Sequence, residues 1–140
     1  MSFYIRLFKK ADYEAVNQVW QLTDMGGSHR GDNLQVIIRT ISSGGALFCL
    51  LNNEDEIIGT AWITNDSRRL YLHHFAILPE YQGQKLSHLL MVEVMKFARR
   101  KGIQIKLEVH KDNAAAIALY DKYGFKNLGD YHVLIVRNVK

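Results

Sequence analysis

The chain has 140 residues, which is long enough for one domain with a sizeable core. Hydrophobic residues make up 48% and charged residues 23%, as in ordinary globular proteins. No apolar stretch approaches the roughly 20 residues of a membrane span, and Met1–Lys10 lacks the apolar segment of a signal peptide. We therefore expect a single domain over residues 1–140, located in the cytoplasm and without a membrane partner.

The formal net charge is +4, and the basic residues are spread along the chain. The one basic cluster, at residues 99–101, precedes Gly102 at a predicted helix end, where cations favour the helix dipole. Neither a clustered basic face nor an aromatic stacking motif is present, so we expect no nucleic-acid partner. The single cysteine, Cys49, lies in the apolar run ALFCLL and is predicted to be buried. It cannot form an internal disulfide, which agrees with a reducing compartment.

The first third of the chain predicts a strand and two helices. Ser2–Phe8 alternates loosely as a strand, and Asp12 is the predicted N-cap of a first amphipathic helix. Residues 23–32, TDMGGSHRGD, are too rich in glycine and polar residues for regular structure. A second amphipathic helix follows over residues 34–41 and ends at the glycines 44–45.

The middle of the chain predicts three consecutive strands. They are separated by the turn-like stretches NNEDE and NDSRR, which favours an antiparallel meander. The predicted strands are Ala46–Leu51, Ile57–Thr64 and Leu70–Leu78.

After Pro79 the pattern changes to a long amphipathic helix that ends near Lys101, followed by a strand over Ile103–Val109. A strand, helix and strand in this order form a right-handed crossover, so the strands on either side of the helix should be parallel. Asn113 is the predicted cap of a last helix that reaches residue 124. Two closing strands are expected at Phe125–Lys126 and Tyr131–Arg137.

A turn that opens the long helix could bind an anion. The turn has the sequence Gln82-Gly83-Gln84-Lys85-Leu86-Ser87. Successive backbone N–H groups at a helix start, together with the helix dipole, favour phosphate groups. Glycine lets a ligand approach the backbone closely, although a single glycine before a helix is also typical of a plain turn.

This stretch resembles the acyl-CoA motif of the GNAT-type N-acetyltransferases, which reads Gln or Arg, two residues, Gly, any residue, then Gly or Ala. Gln82 fills the first position, Lys85 stands at the motif glycine, and Ser87 stands at the final Gly or Ala. Because every residue except proline keeps its backbone N–H, we expect coenzyme binding to survive these departures, with the effect of Lys85 left open.

A second stretch, LEVHKDNAAAIALYDKYGF, resembles the other family motif more closely. It contains Leu-Glu-Val, then Asn113, small residues, Leu-Tyr and Gly-Phe at the family's spacing. Asn113, Ala116 and Tyr120 fall on one helical stripe, where small alanines would let a pantetheine arm pass. By resemblance, Tyr120 lies near the coenzyme sulfur and is the candidate general acid. A half-buried tyrosine bonded to a carbonyl is the structural alternative.

The resemblance also implies a set of coenzyme contacts. They are Ala76, Ile77, Leu78, Gln82, Gly83, Gln84, Lys85, Leu86, Ser87, Asn113, Ala116 and Tyr120. In the family, the backbone at the position of Ile77 bonds the pantetheine amides and donates to the acyl oxygen.

The strand before this turn carries two adjacent histidines, His73 and His74. The family base, often a glutamate, is missing because residues 70–78 contain no carboxylate. A histidine with an ordinary pKa of about 6.5 suits proton abstraction at neutral pH. Alternation places His73 on the face of Ile77, so His73 is the predicted base, with His74, water or a purely structural histidine as alternatives. No metal site is expected, because neighbouring strand residues point apart.

The resemblance covers nearly the whole chain and implies an α/β fold with a mixed sheet. It would contain about seven mostly antiparallel strands, a parallel pair that splays apart, and about four helices. The implied reaction is direct transfer of an acetyl group from acetyl-CoA to a primary amine of a small molecule or peptide N-terminus, without a metal. The alternatives are a non-catalytic acyl-CoA sensor or partner module of the same fold, and a nucleotide-binding module. Either a monomer or a homodimer is compatible with the sequence.

Overall fold

The structure is a computed structural model that describes residues 2–140. Within this range the α-helices are α1 (Tyr13–Leu22), α2 (Leu34–Ser42), α3 (Leu86–Lys101) and α4 (Ala114–Lys122). The strands are β1 (Tyr4–Leu7), β2 (Ala46–Leu51), β3 (Ile57–Asn65), β4 (Arg69–Ile77) and β5 (Gln104–Leu107), and they form one sheet in chain order. The mixed α/β fold and the four helices agree with the sequence prediction.

The antiparallel meander of β2, β3 and β4 is confirmed. The strand β2 is buried along its whole length because helices cover both faces of the sheet. One face packs against α3, with Leu90, Val94 and Phe97 reaching the sheet. The other face packs against α1 and α2 through Val16 and Ile37, among others.

The predicted parallel pair is also confirmed, and it is short. Residues 69–72 of β4 pair with residues 104–107 of β5, and no pairing continues beyond Leu72 and Leu107. Within residues 2–140, the second half of β4, residues 73–77, therefore has a strand partner only on its β3 side. This opening between β4 and β5 is where the two parallel strands separate.

The helix ends follow local rules with one exception. Asn33 caps α2 by accepting the Val36 N–H at 3.0 Å, and Gly102 takes the left-handed conformation after α3 with φ 71°. Asp12 stands at the N-cap position of α1 as predicted, although its side chain does not bond the helix start. Its carboxylate instead accepts bonds from the Arg6 guanidinium at 2.7 and 3.0 Å and from the Lys9 N–H at 2.7 Å. The guanidinium is the stronger partner, and the carboxylate is therefore drawn away from the helix start.

The sequence predicts about seven strands, whereas the sheet within residues 2–140 contains five. The two closing strands predicted at Phe125–Lys126 and Tyr131–Arg137 do not form, although residues 133–136 are rich in β-branched residues, as strands are. A strand requires a neighbour to satisfy its backbone hydrogen bonds, and this segment has none in the described chain. Its apolar side chains, from Tyr131 to Val136, are largely exposed.

Candidate active site

The turn before α3 presents unpaired backbone donors. Residues 82–85 are exposed, whereas the Leu86 side chain is buried in the core and leaves only its backbone to the turn. Within residues 2–140, the N–H groups of Gly83, Gln84 and Lys85 donate to no protein acceptor. These donors and the start of a 16-residue helix therefore face the same exposed region.

Lys85 takes a backbone conformation that glycine adopts more easily than other residues. Its φ and ψ are 62° and 20°, in the left-handed region, and the preceding Gly83 has φ 81°. Left-handed backbone is disfavoured for residues with a Cβ, by roughly 1–2 kcal/mol. The backbone of the turn is therefore locally strained at Lys85. The half-buried Ser87 follows in the first turn of α3.

The end of β4 directs backbone groups into the opening. The Leu78 N–H donates to the Ile58 carbonyl of β3 at 2.8 Å. Because backbone directions alternate along a strand, the N–H and C=O of Ile77 face away from β3, towards the opening. The Gln82 amide nitrogen donates to the Ile77 carbonyl at 2.8 Å, which ties the turn to the strand. Ala76 and Ile77 have buried side chains, so they offer only backbone here.

The helix α4 forms the other side of the opening. Asn113 caps it by accepting the Ala116 N–H at 3.1 Å. Residues 114–115 are exposed alanines, so only short side chains project from the start of the helix. The half-buried Tyr120 packs edge-on against Phe75 of β4, with ring centroids 5.9 Å apart. This contact brings the helix against the unpaired half of β4.

The phenol of Tyr120 keeps its hydroxyl accessible. Within residues 2–140 this hydroxyl has no protein partner, and no side-chain oxygen there is both buried and unpartnered. The hydroxyl therefore reaches solvent. Burial of the ring raises the pKa of Tyr120 to about 12, so the proton stays on the phenol at neutral pH.

A β-bulge changes the directions of the two histidines. Thr60 pairs with Ala76 and Trp62 pairs with His73, so two residues of β4 oppose one of β3. His74 has φ 45° at this point. The expected alternation of faces breaks here, and both His73 and His74 contact the Trp62 indole on the α1–α2 face. Tyr120 packs on the opposite, α3 face.

The His73 side chain is half-buried. Its Nε2 lies 2.9 Å from Thr64 Oγ1, and its ring stacks on Tyr71 with centroids 4.3 Å apart. Burial and then the neighbouring His74 lower the pKa of His73 to about 4, so its imidazole is neutral and weakly basic at pH 7.

His74 has a carboxylate partner. Its Nε2 lies 2.8 Å from Asp32 Oδ2, which also accepts the Gly27 N–H at 3.1 Å. Asp32 belongs to the irregular segment between α1 and α2, 42 residues away in the chain. The pattern within residues 70–78 could not reveal this contact, because the carboxylate comes from a distant loop.

Glu108 is a second carboxylate near the opening. It follows β5 and lies beside Tyr71, where burial and then this carboxylate raise the pKa of the phenol. The sequence motif included Glu108 only as part of the strand ending. Glu108 directly follows Leu107, the last residue of β5 that pairs with β4.

Other reactive groups do not form sites. Cys49 is fully buried, and burial raises the pKa of its thiol to about 12. Among residues 2–140, no three His, Cys, Asp or Glu side chains lie close enough to hold a metal ion. In the same range, no helix is both long and apolar enough to cross a membrane.

The sheet with its opened parallel pair, covered by α3 and α4 on one face, defines a GNAT-like α/β fold. The model of the Acetyltransferase (GNAT) family matches residues 13–125. This match spans most of the chain, and the chain belongs to the GNAT acetyltransferase family.

Individual relatives agree with this assignment. The chain is 26% identical over 125 residues to an acetyltransferase of Pectobacterium atrosepticum, covering 89% of this chain and 88% of that protein. The PaiA N-acetyltransferase of Thermoplasma acidophilum, solved in complex with coenzyme A, has a similar fold. Its TM-score is 0.75 at 23% identity, over 90% of this chain and 91% of that one. The ribosomal-protein-S18-alanine N-acetyltransferase of Escherichia coli also has a TM-score of 0.75, at 24% identity over 89% of this chain and 78% of that one.

Proposed function

We propose that this protein transfers an acetyl group from acetyl-CoA to a primary amine of a small molecule or a peptide N-terminus. The observation that carries the proposal is the opening between β4 and β5, which lies between the turn of residues 82–87 and helix α4. The family membership and the coenzyme A complex of the Thermoplasma relative support the choice of coenzyme.

The residues around the opening suit this coenzyme. The free N–H groups of residues 83–85 are donors of the kind that bind pyrophosphate oxygens. The exposed alanines at 114–115 leave room beside α4 for a narrow chain. When bound, acetyl-CoA supplies a thioester whose carbonyl carbon accepts the amine.

Backbone and phenol groups on this side would serve the transfer. The Ile77 N–H, directed towards the opening, would stabilise negative charge on the acyl oxygen, an effect of roughly 3 kcal/mol per donor in comparable sites. Tyr120 would protonate the departing sulfur. The burial that raises the pKa of this phenol also raises that of a thiol beside it, so the proton transfer remains feasible.

A turnover screen tests the proposal. Thiol release from acetyl-CoA is followed with polyamines, amino acids, aminoglycosides and peptide N-termini as acceptors, and coenzyme binding is measured by calorimetry. We expect saturable turnover with at least one amine class. Binding without turnover would indicate an acyl-CoA-binding module of the same fold, and no binding at millimolar coenzyme would refute both roles.

The acid is tested separately with Tyr120→Phe. This change should lower kcat by about 10²-fold, because general acid catalysis contributes at least that much, while the Kd for the coenzyme stays the same. Tyr131→Phe, in the exposed C-terminal segment, is the matched control. Equal turnover in Tyr120→Phe and the unaltered protein would remove Tyr120 from the mechanism.

A further inference from the structure

The pair formed by His74 and Asp32 is built into the fold on several sides. The bulge in β4 directs His74 to the α1–α2 face. The segment between these helices crosses that face and brings Asp32 to the imidazole. The two side chains are 21% and 19% exposed, so the pair lies at the edge of the core rather than inside it.

The backbone of Gly26 lies too close to this pair for any side chain to fit between them. A Cβ at this position would lie 2.5 Å from Asp32 Oδ2 and 2.9 Å from His74 Nε2. The residue also has φ 125°, which side chains rarely adopt. The loop backbone therefore approaches the pair as closely as glycine allows, and it encloses the bonded nitrogen of the imidazole.

The ring of His74 is fixed by two indoles. It meets Trp20 edge-on with centroids 4.7 Å apart and Trp62 with centroids 5.4 Å apart. Both indole nitrogens already donate, Trp20 to Thr60 Oγ1 and Trp62 to Thr40 Oγ1, each at 2.9 Å. The indoles thus form a rigid, uncharged wall and do not compete for the imidazole nitrogens.

One nitrogen of His74 remains accessible. Nε2 contacts Asp32, and within residues 2–140 Nδ1 has no hydrogen-bond partner. No side-chain nitrogen in that range is both buried and unpartnered, so Nδ1 reaches solvent. A carboxylate at Nε2 favours the tautomer with the proton on Nε2, which leaves a lone pair on Nδ1. This is the arrangement of a general base oriented by a carboxylate.

We propose that His74, held by Asp32, is the base that takes a proton directly from the acceptor amine, and that the loop of residues 24–32 lines the acceptor site. The proposal rests on the acyltransferase function above. His74 touches the substrate and is therefore catalytic, whereas Asp32 is a positioning residue. In the described part of the chain, His73 hydrogen-bonds no carboxylate, and its Nε2 lies 2.9 Å from Thr64 Oγ1.

The proton balance of the step is as follows. An acceptor enters as an ammonium, and Nδ1 of His74 takes one proton, forming an imidazolium that Asp32 stabilises. The amine lone pair forms the new C–N bond at the thioester carbon, and the nitrogen then loses its second proton to water. Tyr120 donates a proton to sulfur as the C–S bond breaks and regains one from solvent, and the His74 imidazolium returns its proton to solvent. One ammonium and one thioester thus give an amide, a thiol and one released proton.

Base and acid lie on opposite faces of the sheet at the same part of β4. His74 is on the α1–α2 face, and Tyr120 contacts Phe75, the next residue, on the α3 face. An acceptor would therefore approach from the α1–α2 face, and the thiol would leave towards α4.

The variants His74→Gln and Asp32→Asn test the base by turnover. His74→Gln should lower kcat/KM at pH 7 by about 10²-fold or more, with the coenzyme Kd unchanged. Asp32→Asn should lower it about 10-fold to 100-fold. Glu14→Gln, at an exposed carboxylate on α1 outside this loop, is the matched control and should stay close to the unaltered protein.

The pH profile separates a base from a structural contact. The ionisable groups that face His74 are Asp32 at 2.8 Å and His73, whose ring centroid is 6.4 Å away; α1 and β3 contact the imidazole ring through the uncharged indoles of Trp20 and Trp62. Removing the Asp32 charge destabilises the imidazolium, so the acidic limb of kcat/KM should move to lower pH in Asp32→Asn. A loop contact without a catalytic role predicts an unshifted limb and lower thermal stability only, and that result would overturn the proposal.

A spectroscopic measurement reads the same arrangement without turnover. Imidazole ¹⁵N shifts should give a protonated Nε2 and an unprotonated Nδ1 for neutral His74 in the unaltered protein. A dominant Nδ1–H tautomer would overturn the proposal whatever the activity. Failure of the unaltered protein with every amine would refute the acyltransferase function and the base together, whereas turnover that survives His74→Gln would refute the base alone.

Discussion

The imidazole of His88 and the phenol of Tyr123 join the two helices that flank the opening. Nδ1 of His88 lies 2.9 Å from the Tyr123 hydroxyl. His88 is in the first turn of α3, directly after the turn with the free N–H groups, and Tyr123 directly follows α4. One hydrogen bond between side chains thus fixes the distance between the proposed phosphate and thiol ends of the site.

Removing this bond should loosen the site more than the fold. Tyr123→Phe is expected to lower the free energy of unfolding by about 1 kcal/mol, the usual net value of one hydrogen bond. If the coenzyme spans both helices, its Kd should rise by up to about fivefold, which corresponds to the same energy. Urea denaturation and calorimetry measure the two effects. Tyr131→Phe is the control, and unchanged values in Tyr123→Phe would show that the bond is dispensable.

Lys85 offers a test of strain at the turn. Lys85→Gly should raise the free energy of unfolding relative to Lys85→Ala by about 1 kcal/mol, because only glycine adopts φ 62° without a Cβ penalty. Both variants lose the ammonium, so their difference isolates the backbone conformation. Urea denaturation of the two variants side by side provides the measurement. Equal stabilities would mean that the left-handed conformation carries no cost here.

The same pair of variants reports on coenzyme binding. Backbone donors remain in both, so each should still bind acetyl-CoA in calorimetry, and Lys85→Gly should bind at least as tightly as Lys85→Ala. Binding that disappears in both variants would assign the contact to the lysine side chain instead. A steeper salt dependence in the unaltered protein than in either variant would support a direct ammonium–phosphate contact.

Thr60 holds the bulge and one indole together. Its fully buried hydroxyl accepts from Trp20 Nε1 at 2.9 Å and donates to the His74 carbonyl at 2.8 Å. Thr60→Val keeps the shape and leaves two buried polar groups without partners, which should cost about 2 kcal/mol or more of unfolding free energy. Thr60→Ser keeps the hydroxyl and should be milder. Chemical denaturation compares them, and a Val variant as stable as the Ser variant would contradict this role.

The hydrogen-bonded carboxylate of Asp12 should make the stability of the fold depend on pH. Hydrogen bonds from the Arg6 guanidinium, and further from the Lys9 N–H, lower the pKa of Asp12 against the opposing effect of burial. A carboxyl with a lower pKa in the folded state stabilises the fold above its unfolded pKa of about 4, and this contribution is lost as pH falls through the folded value.

Asp12→Asn should therefore lower the free energy of unfolding by about 2 kcal/mol at pH 7. The difference in this free energy between the variant and the unaltered protein should shrink as pH falls from about 4 towards 2. Urea denaturation at pH 7, 5 and 3 measures it. Asp24→Asn, at an exposed position, should change the unfolding free energy by less than about 0.5 kcal/mol. A difference that stays constant across this range would show that the ion pair does not titrate as stated.

Local signals in the sequence predict most of the sheet and helices. The separators NNEDE and NDSRR define β2, β3 and β4 to within a residue or two, and the crossover through α3 predicts the parallel partner of β4. Asn113 illustrates why a helix start can be predicted from sequence, since its cap depends on residues three positions apart. The turn and helix of the two family motifs are likewise contiguous in sequence.

Features that depend on distant contacts could not be predicted. The register between β3 and β4 shifts at the bulge around His74. This shift places the His73 side chain on the opposite face of the sheet from the one that simple alternation assigns. The partner of His74 arrives from a glycine-rich loop whose path has no periodic signal. The apolar run of residues 133–136 has strand composition, but composition does not specify which edge of the sheet it would pair with.

The lysine at position 85 has a consequence for how such proteins are recognised from sequence. The turn before α3 has its bend although the residue that usually makes the bend easy is absent. The family model still matches residues 13–125, which include this turn, so a lysine here does not prevent recognition of the family. A left-handed bend before α3 is thus compatible with a side chain, and its presence is better judged from backbone torsion angles than from a required glycine.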